Sequence, residues 1–306
     1  MKVLITGGAG YIGTELAYQL ENNPAISEII IYDNLTRGNY NLFIGRAKFQ
    51  TTKIHFVHGD LLDTRKLGKT LDRVDTVYHL AAKVSTPFAD QHPHEFDQVN
   101  HWGTAELVYL TEERPIRQFI YMSSTSVYGA SSKEVNIKTS PNPRTFYGIS
   151  KMRGEDHVRR LFHSDTKTYI LRCGNVYGYS KSMRFDSVIN KFVFEANTSR
   201  QIRIFGDGKQ SRSFIHIDRL SPFLSGLAAG SLAPDIYNLV ESTYSIQDIV
   251  SVLLEIYPDM ESISVAQNMP MRELKVQPDA RLANWFNAHP HDLLSDLTAF
   301  RQAFTF

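Results

Sequence analysis

Tyr147 and Lys151 place a phenol and an ammonium four residues apart, so on a helix both side chains project from one face. A tyrosine titrates near pH ~10 and is a poor base at neutral pH, but a neighbouring cation favours its phenolate. A Tyr147 activated in this way can serve as general acid and base. Upstream, Ser123-Ser124-Thr125-Ser126 offers a run of hydroxyls able to hydrogen-bond a substrate oxygen and relay its proton. Taken alone, Tyr-x-x-x-Lys also occurs on solvated helix faces. Its company makes it specific here, because the chain also opens with a loop suited to a dinucleotide.

That loop is Gly7-Gly8-Ala9-Gly10-Tyr11-Ile12-Gly13, set between the first apolar run and the first helical stretch. Glycines at 7, 10 and 13 permit a tight turn, close approach of backbone to a pyrophosphate, and close helix–strand packing. The helix start then offers free N–H groups and a positive dipole end to the anion. Asp33 closes the next strand, 20 residues beyond Gly13. A carboxylate there accepts hydrogen bonds from ribose hydroxyls and repels a 2′-phosphate, so NAD is expected over NADP. Arg37, four residues on, works against that preference. Asp60-Leu61 follows the third strand, where adenine would be met, although Asp60 can equally cap a turn.

Stepping outward, the strands expected to carry these groups are Lys2–Thr6, Glu28–Asp33, Ile54–His58, Asp75–Leu80, Gln118–Ser123 and Thr168–Arg172. Between them, Tyr11–Glu21, Glu95–Glu113 and Phe146–Phe162 have helical spacing. Continuous apolar strands alternating with helices predict an α/β fold, a doubly wound parallel (Rossmann) sheet covered on both faces. The serine run ends a strand, which is where ligands bind in such sheets. After about Gly174 the rhythm breaks into a smaller, less regular α/β lobe that closes over a ligand. It has helical spacing at Phe185–Asn197, a strand entering a turn at Arg203–Gly208, a helix from Ser245 through Ile256, and another at His291–Phe304. The expected division is 1–174 plus about 213–236 for the nucleotide domain, and about 175–212 plus 237–306 for the substrate-binding lobe.

Composition narrows the function classes. The 306 residues carry 33 Lys plus Arg and 32 Asp plus Glu, giving 33 − 32 = +1, with 42% hydrophobic and 21% charged residues. Neither nucleic acid nor a membrane surface is expected as a partner, since both call for basic clustering. No run reaches the roughly 18 apolar residues of a membrane span, and the apolar start stops at Thr6-Gly7, short of a signal core. Cys173 is the single cysteine, so no intramolecular disulfide can form, which suits a reducing cytosol. His92, His94, His289 and His291 form pairs spaced by two, without an expected carboxylate or thiolate framework, so no metal site is expected.

The residues together resemble the extended short-chain dehydrogenase/reductase family, in its NAD-dependent sugar epimerase/dehydratase branch. The matching segments are Thr6–Gly13, Asp33-Asn34-Leu35, Gly59-Asp60-Leu61, His79-Leu80-Ala81-Ala82, Asn100 within Val99–Thr104, Ser123–Gly129, Tyr147–Lys151, Arg172–Gly178, Phe205–Arg212 and Phe214–Asp218. They run in family order through nearly the whole chain. The resemblance implies that Gly7, Gly10, Tyr11, Ile12, Gly13, Asp33, Asn34, Asp60, Leu61, Leu80, Ala81, Ala82, Asn100, Tyr147 and Lys151 hold NAD. Four residues before Tyr128, Ser124 takes the family's catalytic Ser/Thr position beside Tyr147 and Lys151. Ser85, Ser124, Thr125, Ser126, Asn175, Arg212 and Arg272 are the implied contacts to a nucleotide-diphosphate sugar, the arginines matching phosphate with their planar forks. Helices Glu95–Glu113 and Phe146–Phe162 correspond to those that pair across a two-fold axis in relatives, which implies a homodimer.

The implied chemistry is removal of a proton from a sugar hydroxyl, usually at C4, with hydride passing to NAD to leave a 4-keto sugar. An epimerase returns the hydride to the other face. Dehydratases and decarboxylases of the family generally carry acids just after the catalytic Ser/Thr, where this chain has Thr125 and Ser126. That favours a nucleotide-sugar 4-epimerase over a 4,6-dehydratase, decarboxylase or net oxidoreductase. Intact Ser124, Tyr147 and Lys151 argue against a non-catalytic NAD sensor. Near the C-terminus the pattern departs: Met271-Arg272-Glu273-Leu274 lacks the family's glycine, and Leu282-Ala283-Asn284-Trp285 replaces its Leu-Gly-Trp, which leaves the sugar unnamed.

Overall fold

The computed structural model of the chain describes residues 1–43, 49, 52–84, 92–230, 232–266, 273–287 and 292–304. The first half runs β1 (Lys2–Thr6), α1 (Tyr11–Glu21), β2 (Glu28–Asp33), β3 (Ile54–His58), α2 (Thr64–Thr70), β4 (Thr76–His79), α3 (Pro93–Phe96), α4 (Gly103–Glu112), β5 (Gln118–Ser124), α5 (Phe146–Val158) and β6 (Lys167–Cys173). The second half adds β7 (Asn175–Tyr177), α6 (Val188–Ser199), β8 (Gln201–Phe205), β9 (Ser211–His216), α7 (Ile217–Leu227) and β10 (Ile236–Leu239). It ends with β11 (Ser242–Ser245), α8 (Ile246–Ile256), β12 (Glu261–Val265), α9 (Ala283–Phe286) and α10 (Leu293–Ala303).

Seven strands form one parallel sheet in the order β3-β2-β1-β4-β5-β6-β10. Strands β4 and β5 are buried throughout, and β1, β2 and β6 nearly so. Their unbroken apolar runs reflect cover on both faces. Leu16 and Leu20 of α1 meet Leu220 and Leu224 of α7 on one side, while Leu67, Leu107 and Val158 from α2, α4 and α5 pack the other. The strand order reverses between β1 and β4, which opens a crevice at their carboxyl ends.

The remaining strands make a three-stranded sheet, β11-β9-β7, and a parallel pair, β12-β8. Over them, α6, α8 and α10 share a separate apolar cluster that includes Phe192, Leu253 and Leu297. Ser245 and Asp248 form a capping box at the start of α8, each side chain accepting from the other's backbone N–H. The chain leaves the large sheet after β6 and returns to it with β10, which runs to Leu239. Arg219 of α7 bonds Asp296 of α10 at 2.9 Å, and the Tyr177 hydroxyl donates to the same carboxylate at 2.6 Å, so the two parts are tied by buried polar contacts.

Two helices differ from the sequence reading in an instructive way. The stretch expected as one helix over Glu95–Glu113 is interrupted by a π-helical turn at Asp97–Trp102, which carries Asn100 inward. The stretch Phe146–Phe162 leaves α-helical geometry at Val158 and tightens into a 3₁₀ turn over Arg159–His163. No helix among the described residues is long and apolar enough to cross a membrane.

Candidate active site

The glycine loop is shaped by contacts that exclude side chains. Gly7 has φ +70°, and a Cβ there would sit 2.6 Å from the Ala81 backbone nitrogen; one at Gly13 would lie 2.5 Å from the Gly7 carbonyl oxygen. Gly10 precedes α1 with no side-chain cap and no acidic residue in the first turn, so the helix start presents its positive end to an anion. Beside it, Asp33 accepts from the backbone N–H of Ala9 at 3.1 Å and of Leu35 at 2.8 Å. Burial raises its carboxyl above the usual range, and those two N–H groups pull the other way. An uncapped helix start with an adjacent, oriented carboxylate fits a dinucleotide's pyrophosphate and ribose.

The neighbouring residues support this end. The Asn34 amide donates to Asp60 at 2.8 Å, and Asp60 also accepts from the Leu62 N–H, so it caps a turn while anchoring Asn34. Leu61 is buried beneath. Ile12, Leu80 and Ala82 line a cavity of about 390 Å³ at the carboxyl end of the sheet. Tyr11 points elsewhere, donating to the Gly178 carbonyl at 2.7 Å.

The same cavity gathers Ser124, Thr125, Ser126, Tyr147, Lys151, Asn175 and Arg212. Ser124 ends β5, and its hydroxyl oxygen accepts from the Ser126 N–H at 3.1 Å, starting a 3₁₀ turn over Thr125–Tyr128. Thr145 caps α5 through the Gly148 N–H, which aims Tyr147 and Lys151 into the cavity. Lys151 is 2% exposed, and its Nζ lies 4.5 Å from the centre of the Tyr121 ring. Burial pulls it down to about 7, with Glu155 one turn further on resisting.

One expectation is corrected here. Burial raises the Tyr147 phenol above its ordinary value, and the cation that most favours its phenolate is Arg184 rather than Lys151, helped by the Ser124 hydroxyl. The lysine lies on the Tyr121 ring, whereas Arg184 enters the cavity from the loop before α6.

Behind the cavity lie networks the sequence did not announce. Asn100 accepts from the Lys83 N–H at 2.8 Å, returns a bond to the Lys83 carbonyl at 2.9 Å, and donates to Ser150 at 3.0 Å. It pins the segment after β4 to α5. Next to it, buried His79 bridges Thr6 and Thr104, each at 2.8 Å, and burial keeps its ring neutral. On the other side, Glu155 and Arg172, 1% and 2% exposed, pair at 2.7 Å; Ser123 donates to Glu155, and Arg172 to the Tyr128 hydroxyl. The only sequence clue to Glu155 was its place one turn after Lys151.

Ser85 and Arg272 lie outside the described residues, as do His289 and His291. The helix turn at Pro93 brings Glu95 beside His92 and His94, with potential ligand atoms within 4.8 Å of one another. A carboxylate therefore does accompany that pair, contrary to the sequence reading. The group is largely exposed, and Glu95 is engaged by Lys83 at 2.6 Å.

A sequence model of the NAD dependent epimerase/dehydratase family matches residues 3–239. The chain is 30% identical over 275 residues to the human dTDP-D-glucose 4,6-dehydratase, covering 87% of this chain and 77% of that one. It is 29% identical over 238 residues to the UDP-glucose 4-epimerase of Erwinia amylovora, covering 71% and 70%. In structure it is similar to a UDP-glucuronic acid 4-epimerase from Bacillus cereus, solved with UDP-glucuronic acid and NAD, at TM-score 0.81 and 26% identity over 99% of this chain and 98% of that one. With its parallel sheet, glycine loop and cavity of hydroxyls and cations, the chain belongs to the NAD dependent epimerase/dehydratase family of enzymes.

Proposed function

We propose that this enzyme is an NAD-dependent nucleotide-sugar 4-epimerase working through a transient 4-keto sugar. The observation that carries the reading is the chemistry of the cavity wall. Among the described residues lining it there is no aspartate or glutamate, and the two positions after Ser124 are the hydroxyls Thr125 and Ser126. Elimination needs an acid to protonate the departing C6 hydroxyl, and neither hydroxyl has the acidity for it. Epimerisation needs only one group to take and return the C4 proton. Tyr147 does this as phenolate, with Ser124 holding the sugar oxygen and relaying the proton, and Lys151 holding the nicotinamide ribose. Bound NAD supplies the hydride acceptor and donor. Asn175 and Arg212 face the diphosphate, and the glycine loop with Asp33 holds the cofactor.

The second reading is elimination, favoured by the 30% identity to a 4,6-dehydratase; decarboxylation and net oxidation lack the same acid. A homodimer is part of the proposal, because Trp102 and Tyr109 on the α4 side are 51% and 39% exposed beside α5. The single buried Cys173 fits a cytoplasmic setting. Incubating the protein with UDP-, dTDP-, GDP- and CDP-sugars and following products by NMR tests the assignment. A 4-epimer is expected; release of water or carbon dioxide would overturn it, and silence across the panel would favour an NAD sensor.

A further inference from the structure

The segment between β7 and α6, residues 178–187, lies over the start of α1. Ser180 donates to the Tyr11 carbonyl at 3.1 Å and to Glu15 at 2.9 Å, and Thr14 donates to Ser182 at 2.8 Å. The loop after β2 reaches the same segment: Asn41 donates to the Lys181 carbonyl at 2.6 Å, and Arg37 pairs with Asp186 at 3.3 Å. Asp186 in turn holds Arg184 at 2.9 Å. Fully buried Asn190 fixes the backbone, donating to the Arg184 carbonyl at 3.0 Å and accepting from the Gly178 N–H at 3.1 Å. Arg184 is thereby delivered into the cavity that contains Tyr147.

We infer that Arg184 is a positioning residue that holds Tyr147 as its phenolate, and that Asp186 and Arg37 aim it from the nucleotide end of the cleft. The inference rests on Tyr147 being the base. The groups facing that phenol are Lys151 on its own helix, Ser124 from β5, Cys173 from β6, the Phe96 ring from α3, and Arg184. Lys151 changes its charge near neutral pH because burial has pulled it to about 7. A guanidinium keeps its charge at any working pH, so Arg184 supplies a steady field where the lysine cannot. Through Arg37, which follows Asp33, the loop beside the cofactor's ribose shares a carboxylate with the group that sets the base.

The test is a ¹³C NMR titration of the purified holoenzyme labelled at tyrosine Cζ, with the Tyr147 signal assigned from Tyr147→Phe. Arg184→Met is expected to move the Tyr147 titration upward by about one pH unit or more, leaving about tenfold less phenolate at neutral pH. Arg184→Lys should restore most of the shift. A folded, NAD-retaining Arg184→Met with an unmoved titration overturns the proposal, as does an effect confined to KM. Should Arg184→Met fail to fold, Asp186→Asn unpins the guanidinium while keeping its charge, and a wild-type titration in that variant overturns it equally. Turnover surviving Tyr147→Phe would instead sink the base assignment, whatever Arg184 does.

Discussion

The two ends of the cleft are built from different materials. At the nucleotide end the working parts are backbone: an uncapped helix start, a glycine at positive φ, and glycines pressed against carbonyl and amide groups. At the chemical end they are buried ionisable side chains, with Lys151, Glu155 and Arg172 each no more than 2% exposed. Backbone N–H groups stay the same at every pH, which suits a cofactor kept in place through the cycle. Side chains in a low-dielectric wall trade protons and set each other's charge, which suits a base that must take a proton and give it back. Binding and chemistry are thereby separable in this protein, although Arg37 and Asp186 connect them.

The separation can be broken from either side. The largest effect is expected for Tyr147→Phe, which should lower turnover about 10²–10⁴-fold while leaving bound NAD nearly unchanged, as read by steady-state rates and cofactor content after gel filtration. Loss of NAD alongside activity would show that the two ends are not independent. Next is Glu155→Ala, which leaves Arg172 buried without its carboxylate and should destabilise the fold by about 3–5 kcal/mol in urea denaturation. A change below about 1 kcal/mol would mean that the pair contributes little beyond its alternatives. The smallest is Gly13→Ala, whose Cβ would meet the Gly7 carbonyl at 2.5 Å. It should weaken NAD retention and destabilise the fold by about 1–3 kcal/mol, with residual turnover restored by added NAD. Full retention of NAD in that variant would contradict a backbone-built nucleotide end.

The same difference explains what could be read from the chain. The nucleotide end was legible because a backbone requirement leaves a glycine at a fixed place, and because the strands of a doubly covered sheet appear as unbroken apolar runs. All six expected strands of the large sheet are present to within a residue or two. The seven-stranded sheet gained β10 from the second half, which local periodicity did not mark, since Ile236–Leu239 contributes only four residues. Strands β7 and β11 are short and part polar, so period-2 patterning had nothing to act on. The chemical end was legible only as residue types. That Lys151 lies on the Tyr121 ring, while Arg184 faces Tyr147, depends on segments far apart in sequence; Arg37 and Asp186 are separated by 149 positions. The π-helical turn that carries Asn100 inward has no signature in a sequence of ordinary helix formers.

The central claim is that the C4 hydrogen of a nucleotide sugar leaves and returns to the same carbon, because the cavity wall offers no acid for elimination. The most direct measurement uses a nucleotide sugar turned over by the purified enzyme and deuterated at C4. The account predicts a 4-epimer that retains its deuterium at C4 and loses no oxygen. A 4-keto-6-deoxy product with deuterium carried to C6 would contradict it.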